Sequence, residues 1–422
     1  MEIEKIKEKL LEKMENLEII DAHEHLPPER IRIEKETDVF ILFSHYTHGD
    51  LLRAGMSEEQ YKSLFNHEIP LEKRWKIFLP FWKKIRYTSY SKAVLLSLKK
   101  FYGFDDINDG NYYEISEKIK EFNKKGIYKK VLRDTCKIKF ALTQCGTTET
   151  ESEILIPLMP LNKNGEMDTL ENLTKSPYNE KNRIKAIDDL IEEYKKYILK
   201  SKENGAVGFK TMAFPFGIPD RKKARDLFNR IMKGKIKKIE APVLPPSIIG
   251  TNPIFDYVHD EIIKFVGEQN LVIAVHTGYW GDFRRLSPEN FIPVLKRHPE
   301  VKFDIYHCGF PYVREALNLG KEYSNVYLNF AWTHIISQKF AIDALDECFD
   351  LIPVNKIIAF GGDYNLPVEK VYGHLVMAKE DVATVIAKRI KEKIMSFEDG
   401  FEVIKNIFFE NPKNLYNLTK RN

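Results

Sequence analysis

Cysteine is scarce in this 422-residue sequence, and its four cysteines are widely separated: Cys136, Cys145, Cys308 and Cys348. No Cys-x-x-Cys pair occurs, so neither a zinc knuckle nor a disulfide framework is expected, and a reducing compartment is favoured. No apolar run approaches the roughly 20 residues that span a bilayer, and the charged N-terminus lacks the apolar core of a signal peptide. We therefore expect a cytoplasmic protein with no membrane partner.

The sequence also lacks a strong excess of charge of either sign. The net charge is +4, and basic and acidic residues are interspersed without a basic stripe or an aromatic-plus-basic module. Nucleic acid is therefore not an expected partner. With 43% apolar and 30% charged residues, the composition is that of a globular protein. We expect a small polar or anionic substrate, and assembly into a homo-oligomer stays open.

Two histidines stand at the end of the first apolar segment, Ile19-Ile20-Asp21-Ala22-His23-Glu24-His25. Because side chains alternate faces along a strand, His23 and His25 are expected to point the same way. Two imidazoles placed in this way can bind one divalent ion. The His-x-His pattern alone is weak, since a single histidine at a strand end is more often packed or solvated.

Strand-like segments alternate with helical patterns along the chain. The candidate strands are 19–25, 128–134, 140–144, 154–158, 206–210, 271–276, 301–307, 326–330 and 357–363. Strands separated by helices of 10–15 residues predict a parallel sheet. About eight of them predict a (β/α)8 barrel forming one domain over residues 1–422. An open doubly wound sheet is the alternative, but no glycine-rich fingerprint follows the first strand.

Residues 31–125 interrupt this alternation. They have a mostly helical pattern with an aromatic-rich middle, and they are too numerous for a loop between neighbouring strands. We predict a helical cap, inserted after the first strand, that covers one mouth of the barrel.

Further metal-binding residues end later strands. His276 ends the fifth predicted strand, His307 the sixth and Asp363 the eighth. The chain between His276 and His307 has room for one loop-helix-strand unit, and that between His307 and Asp363 for two. Since barrel enzymes carry their chemistry at the C-terminal ends of the strands, these residues should share one rim with His23 and His25. The sequence therefore predicts a metal site facing one cavity.

This pattern resembles the amidohydrolase superfamily of metal-dependent barrel enzymes. The motifs that carry the resemblance are Asp21-Ala22-His23-Glu24-His25, Val275-His276-Thr277-Gly278, Tyr306-His307 and Gly362-Asp363. The resemblance implies that His23, His25, His276 and Asp363 bind a divalent ion. Zinc is favoured over manganese or iron, and one ion over two. It also implies that Asp363 moves the proton of an attacking water, and that His307 is a second ligand or a polarising donor.

A narrower resemblance, to uronate isomerases of the same superfamily, lies in the cap. It rests on His45-Tyr46 and on the segment 51–59, which contains Arg53. It implies substrate-binding roles for His45 and Arg53, although both could equally lie on a solvated helix surface. Two features differ from those enzymes. Asp363-Tyr364-Asn365 lacks their substrate-binding arginine, and their His-Arg-Asp-Gly-type segment is missing.

Three more residues near the predicted rim are candidates for substrate binding. Lys210 follows the fourth strand, where two-metal members of the superfamily carry a carboxylated bridging lysine; it could instead bind an acidic substrate or reach solvent. Arg284 lies in the loop after the fifth strand, where it could clamp a carboxylate or be solvated. Trp332 follows the seventh strand and could shape the pocket.

Three functions are compatible with these residues. The leading hypothesis is a metal-dependent hydrolase that activates water to cleave a C–N or C–O bond of a small polar substrate. The alternative is aldose–ketose isomerisation of a sugar acid, or decarboxylation of it or of another carboxylate. A barrel that binds without catalysis is the third, and the intact set of His23, His25 and Asp363 argues against it.

Overall fold

The computed structural model of the chain describes residues 2–245 and 247–420. Eight short strands run parallel, and each pairs with its neighbours in sequence. We number them β1 to β8: Ile19–Glu24, Ile138–Thr143, Leu155–Pro157 continued by Met159–Pro160, Gly208–Met212, Val272–His276, Phe303–Tyr306, Val326–Asn329 and Ile357–Ile358.

The sheet closes between its first and last strands. The Ala22 N–H donates to the Phe360 carbonyl (3.1 Å), and the Asp363 N–H donates to the His23 carbonyl (2.8 Å). Within β3, the Leu158 N–H donates to Thr143 of β2 (2.9 Å) and so connects the two halves of that strand. The predicted (β/α)8 barrel is confirmed.

Helices surround the barrel. Those outside the cap are Ile3–Met14, Leu170–Thr174, Ile187–Glu203, Arg221–Met232, Pro253–Glu268, Ile292–Arg297, Val313–Glu322, Thr333–Ile336, Gln338–Leu351, Glu369–Lys391, Phe397–Lys405 and Asn411–Leu415. Their buried residues recur every three or four positions, as in Leu190, Tyr194 and Tyr197, which is the spacing of one helix face. A small antiparallel hairpin pairs Val243–Leu244 with Ile248–Ile249. None of the helices in the described ranges has the length and apolar character needed to cross a membrane.

The strand predicted at 128–134 is wrong. Residues Lys129–Thr135 form a π-helical segment that leads into β2. Val131 and Leu132 are adjacent and both fully buried. Successive residues of a strand point to opposite faces, whereas neighbours on a helix can both face the core, and this explains the misleading apolar pair.

The helical insertion predicted after the first strand is present. Its helical segments are Glu29–Ile33, Val39–Phe43, Tyr46–Arg53, Glu58–Ser63, Leu71–Ile85, Ser89–Tyr102 and Tyr112–Phe122. They enclose an apolar cluster of their own, in which Phe43, Phe78 and Trp82 pack ring against ring. The cap is thus a packed layer of helices and not an extended loop.

The barrel interior is filled from the N-terminal end of its strands. Leu415, Tyr416 and Leu418 of the C-terminal segment pack against the inward-facing residues of the barrel. The Tyr416 hydroxyl donates to Asp304 Oδ2 on β6 (2.7 Å). With that end closed, the space available for a ligand lies at the C-terminal ends of the strands.

A buried ion pair joins the cap to the barrel helices. Arg32 Nη2 donates to Glu369 Oε1 (2.9 Å), and the Tyr102 hydroxyl donates to the same oxygen (2.9 Å). Arg32 Nη1 also donates to Asn123 Oδ1. Both charged side chains are completely buried, so each depends on the other for compensation.

Replacing Arg32 by alanine is expected to lower the free energy of unfolding by about 3–5 kcal/mol, because the carboxylate of Glu369 would stay buried without its partner. Urea unfolding of both proteins measures this difference. Arg30→Ala is the matched control, since it removes an exposed pair with Glu151 and should change stability little. Equal losses in the two variants would contradict the assigned role of the buried pair.

Candidate metal centre

Four histidines and one aspartate meet at the C-terminal rim of the barrel. His23 Nε2 lies 3.1 Å and His25 Nε2 3.3 Å from Asp363 Oδ1. His307 Nε2 lies 3.0 Å from His276 Nδ1 and 3.9 Å from Asp363 Oδ2. The structure therefore brings together the residues that the sequence predicted as ligands and proton carrier.

The backbone at these strand ends turns sharply. Asp363 (φ 61°), His307 (φ 68°) and Trp332 (φ 66°) all adopt the left-handed conformation, which is uncommon for residues other than glycine. Such conformations persist only where the surrounding contacts hold them, and they cluster at functional sites. Three such residues follow β6, β7 and β8, which supports the location of a functional site at this rim.

Backbone carbonyls orient two of the imidazoles. His25 Nδ1 lies 3.0 Å from the Gln144 carbonyl, and His307 Nδ1 lies 3.0 Å from the Ala331 carbonyl. A nitrogen that faces a carbonyl oxygen must carry the proton, so the lone pair of each ring is on Nε2. This is the tautomer in which a histidine binds a metal through Nε2.

Burial favours the neutral form of three of the imidazoles, and contact with a histidine favours the ionised form of the Asp363 carboxyl group. Burial lowers the pKa of His23 and His276 well below the usual value, and it lowers the pKa of His307 to about 4. Burial would raise the pKa of Asp363, but its contact with His23 outweighs it and holds that pKa well below its usual range. Neutral imidazoles with one carboxylate are a ligand set suited to a divalent transition metal.

The positions of the ligand atoms also fit a metal ion. One ligand atom from each of His23, His307 and Asp363 lies within 4.8 Å of the other two. His276 Nε2 is buried and has no hydrogen-bond partner within the described residues. The site thus combines closely spaced donors with a buried nitrogen that no described residue satisfies.

A cavity of about 730 Å³ opens onto these residues. Its lining combines histidines, aromatic rings and short polar side chains: His23, His25, His45, Tyr46, Gln144, Cys145, Gly146, Pro160, Asn162, Lys210, Thr211, Met212, His276, Trp280, Trp332, Asp363 and Asn365. Three of the predicted substrate-binding residues are therefore at the cavity: His45, Lys210 and Trp332.

Lys210 lies deep in this cavity. Its Nζ is 3.5 Å from His23 Nε2 and 3.9 Å from the centre of the Tyr306 ring. Burial lowers the pKa of Lys210 to about 7. The amine is therefore placed beside the candidate ligands and not in solvent.

The two predicted arginines do not line the cavity. Arg53 Nη2 donates to the Tyr279 hydroxyl (2.5 Å), which connects the cap to the loop after β5. Arg284 donates to Asp282 in its own loop (2.8 Å), and its side chain is 45% exposed.

Sequence reasoning missed several polar residues of the cavity, among them Gln144 and Asn162. Gln144 directly follows β2 and Asn162 closely follows β3, so both stand at strand ends. The rule that placed the histidines, which locates function at the C-terminal ends of barrel strands, could have identified them. Only ionisable side chains and aromatic rings were considered at those positions.

The sequence matches a family described as amidohydrolase over residues 192–418, more than half of the chain. This range contains Lys210, His276, His307 and Asp363, whereas His23 and His25 precede it. Among curated proteins, the chain is similar to the protein fluG of Emericella nidulans, with 21% identity over 202 residues. That match covers 46% of this chain but only 23% of the relative, so the chain spans about a quarter of that protein's length.

Several solved structures share the fold over nearly the whole chain. A glucuronate isomerase from Caulobacter crescentus has a TM-score of 0.75 at 16% identity and covers 99% of this chain and 95% of its own. A uronate isomerase from Thermotoga maritima has a TM-score of 0.74 at 16% identity, with coverages of 98% and 97%. A candidate metal-dependent hydrolase from Lactobacillus casei has a TM-score of 0.65 at 16% identity, with coverages of 97% and 98%. At this level of identity, the likeness shows the fold alone.

Zinc at about 100 times its Kd is expected to raise the free energy of unfolding by about 2.7 kcal/mol, because an ion that binds only the folded state stabilises it by mass action. Denaturant unfolding with and without zinc measures the effect, and His23→Ala should lose it. His48→Ala is the control, since His48 pairs with Glu58 in the cap and should leave the zinc effect intact. Equal zinc stabilisation of His23→Ala and wild type would contradict the assigned site.

Proposed function

The chain belongs to the amidohydrolase family, and from that premise we propose that it is a hydrolase that uses one divalent metal ion. Zinc is favoured over manganese and iron as that ion. The reaction proposed is cleavage of a C–N or C–O bond in a small polar or anionic substrate. One observation carries this proposal: the Nε2 atoms of His23 and His25 both lie within 3.3 Å of Asp363 Oδ1, and all three residues line one cavity.

His23, His25 and Asp363 would hold the ion, and His276 would complete the set. A bound zinc ion would supply a water of lowered pKa, about 7. Hydrolysis would form a bond from a water oxygen to the electrophilic carbon and break the bond to the leaving nitrogen or oxygen. Asp363 would take the proton of the attacking water and return it to the leaving group, so that the carboxylate is regenerated.

His307 is suited to a supporting role in this reaction. Its Nδ1 is held by the Ala331 carbonyl, and its Nε2 faces His276 at 3.0 Å. It is therefore fixed in orientation beside the proposed ligands, where it would bind the ion or polarise the bond that is attacked.

The cavity favours a small molecule with few negative charges. Its volume of about 730 Å³ lies within the range of small-molecule sites. Apart from histidine, Lys210 is the one cationic side chain among the lining residues described. It would bind a single acidic or carbonyl oxygen of the substrate, while Trp332 and His45 would form the side walls.

Isomerisation of a sugar acid, or decarboxylation, is the second candidate. The observation that favours isomerisation is the similarity to two uronate isomerases over nearly the full chain, cap included. Against it, no arginine lines the described cavity, because Arg53 and Arg284 contact Tyr279 and Asp282 instead. A carboxylate would therefore lack the bidentate partner that arginine provides.

Mass spectrometry of the products separates these reactions. The zinc-loaded protein would be incubated with a panel of small amides, esters, lactones and sugar acids. Hydrolysis adds the elements of water to a substrate, isomerisation leaves its mass unchanged, and decarboxylation removes carbon dioxide. We expect products whose summed mass exceeds that of the substrate by one water. Turnover confined to sugar acids with no change in mass would contradict the hydrolase proposal and support the second candidate.

Asp363→Asn is expected to lower kcat at least about 100-fold, which is the typical contribution of a general acid–base group. The amide cannot accept the proton of the attacking water at neutral pH. Asp343→Asn is the matched control, because Asp343 forms an exposed pair with Lys339 outside the cavity. Unchanged kcat in Asp363→Asn would exclude Asp363 as the proton carrier.

A further inference from the structure

Two acidic side chains lie behind the candidate metal site. Asp21 and Glu24 belong to β1, as does His23, but both are completely buried and neither lines the cavity. The pairing of β1 with β2 shifts register between Asp21 and Glu24, which interrupts the strict alternation of side chains along the strand. Asp21 and Glu24 can therefore share one side of the strand while His23 faces the cavity.

Both carboxyl groups accept hydrogen bonds from the backbone around Asp363. Asp21 Oδ1 accepts from the Gly362 N–H (3.1 Å), and Glu24 Oε2 accepts from the Tyr364 N–H (2.6 Å). The Asp363 N–H between them donates to the His23 carbonyl (2.8 Å). Three consecutive backbone amides at the end of β8 are therefore bound by residues of β1.

The fit between these segments is tight at Gly362. A Cβ atom on this residue would lie 1.9 Å from Glu24 Oε1, 2.9 Å from Glu24 Cδ and 3.3 Å from Asp21 Oδ2. Only glycine lets the Glu24 carboxyl group approach the backbone this closely. The glycine at position 362 thus leaves the space that the Glu24 carboxyl group occupies.

These contacts also hold an unusual backbone conformation. Asp363 adopts a φ of 61°, and a residue with a side chain keeps this conformation only when its surroundings enforce it. The bonds from Gly362 and Tyr364 fix the peptide groups on either side of it. The direction of the Asp363 carboxylate, towards His23 and His25, follows from that fixed backbone.

We propose that Asp21 and Glu24 are positioning residues that hold Asp363 in the geometry required to bind the metal ion. This inference rests on the proposed function, because it assumes that Asp363 is a ligand. Neither acid lines the cavity. Glu24 acts through the Tyr364 N–H, and Asp21 acts through the Gly362 N–H and through the His23 N–H, which also donates to Asp21 Oδ1 (3.3 Å). Groups that orient a metal ligand typically contribute 10–100-fold to metal affinity.

Glu24→Met and Glu24→Gln test this inference as a pair. Methionine keeps the approximate volume of the side chain but removes the oxygen that accepts from the Tyr364 N–H. Glutamine keeps both the volume and an acceptor oxygen. Glu193→Met is the control, because Glu193 is a largely buried carboxylate whose partners, Ser176, Asn182 and Lys196, lie outside the cavity. Zinc affinity is measured by competition with a chelating indicator, and urea unfolding establishes that each variant folds.

We expect Glu24→Met to weaken zinc binding by about 10–100-fold. Glu24→Gln and Glu193→Met should bind as the wild type does. Rescue by glutamine separates positioning from a general loss of stability. If Glu24→Met does not fold, Asp21→Leu replaces it, because it removes the acceptor for the Gly362 N–H with little change in shape.

The outcomes distinguish this inference from the proposed function. Wild-type affinity in a folded Glu24→Met or Asp21→Leu variant would overturn the positioning role and leave the metal site intact. Weakened binding in Glu24→Gln to the same extent as in Glu24→Met would also overturn it, since the acceptor oxygen would then be irrelevant. A wild-type protein that binds no zinc, manganese or iron would overturn the proposed function and this inference with it.

Discussion

Hydrogen bonds between β1 and the segment after β8 close the barrel at the place where the candidate ligands meet. His23 and His25 come from the start of the chain and Asp363 from near its end, so only this closure brings them into contact. The same bonds fix the register of β1 against the segment after β8: the Asp363 N–H donates to the His23 carbonyl, and the His25 N–H donates to the Tyr364 carbonyl. A slip of one residue would turn one set of side chains away from the other.

The two ends of the barrel have different roles because they are filled differently. At the N-terminal end, Leu415, Tyr416 and Leu418 pack against the inward-facing residues of the barrel. At the C-terminal end, the cap supplies His45 and Tyr46 as one wall, and the Tyr46 ring stacks on Trp332 (4.8 Å between centres). The insertion after β1 therefore shapes the cavity without supplying any of the proposed metal ligands. This division would allow the substrate to change while the metal centre stays the same.

Much of the fold, and the meeting of the candidate ligands at one rim, could be predicted because both follow from local patterns. An apolar run that ends in His23, His276 or His307 indicates both a strand and a candidate functional residue at its end. Because the strands of the barrel are parallel, these residues then lie on the same rim. The segment 128–134 was misread because an apolar pair such as Val131 and Leu132 fits a buried helix as well as a strand.

The substrate side of the site was less predictable, and the reason is geometric. Whether Arg53, at the end of a cap helix, or Arg284, in the loop after β5, reaches the cavity depends on the orientation of its segment and on neighbours such as Tyr279 and Asp282, which the sequence pattern does not specify. Lys210 differs, because it lies on a strand whose pairing fixes its direction. The strand placed Lys210 at the cavity, whereas the two arginines, which lie outside strands, do not line it.

The most direct test of the central claim is anomalous X-ray diffraction from crystals grown with zinc, recorded on both sides of the zinc absorption edge. The account predicts a single strong peak per chain at the C-terminal rim, within bonding distance of His23, His25 and Asp363. A peak elsewhere, or none at this rim in crystals that otherwise hold zinc, would contradict a metal centre built by these strand ends.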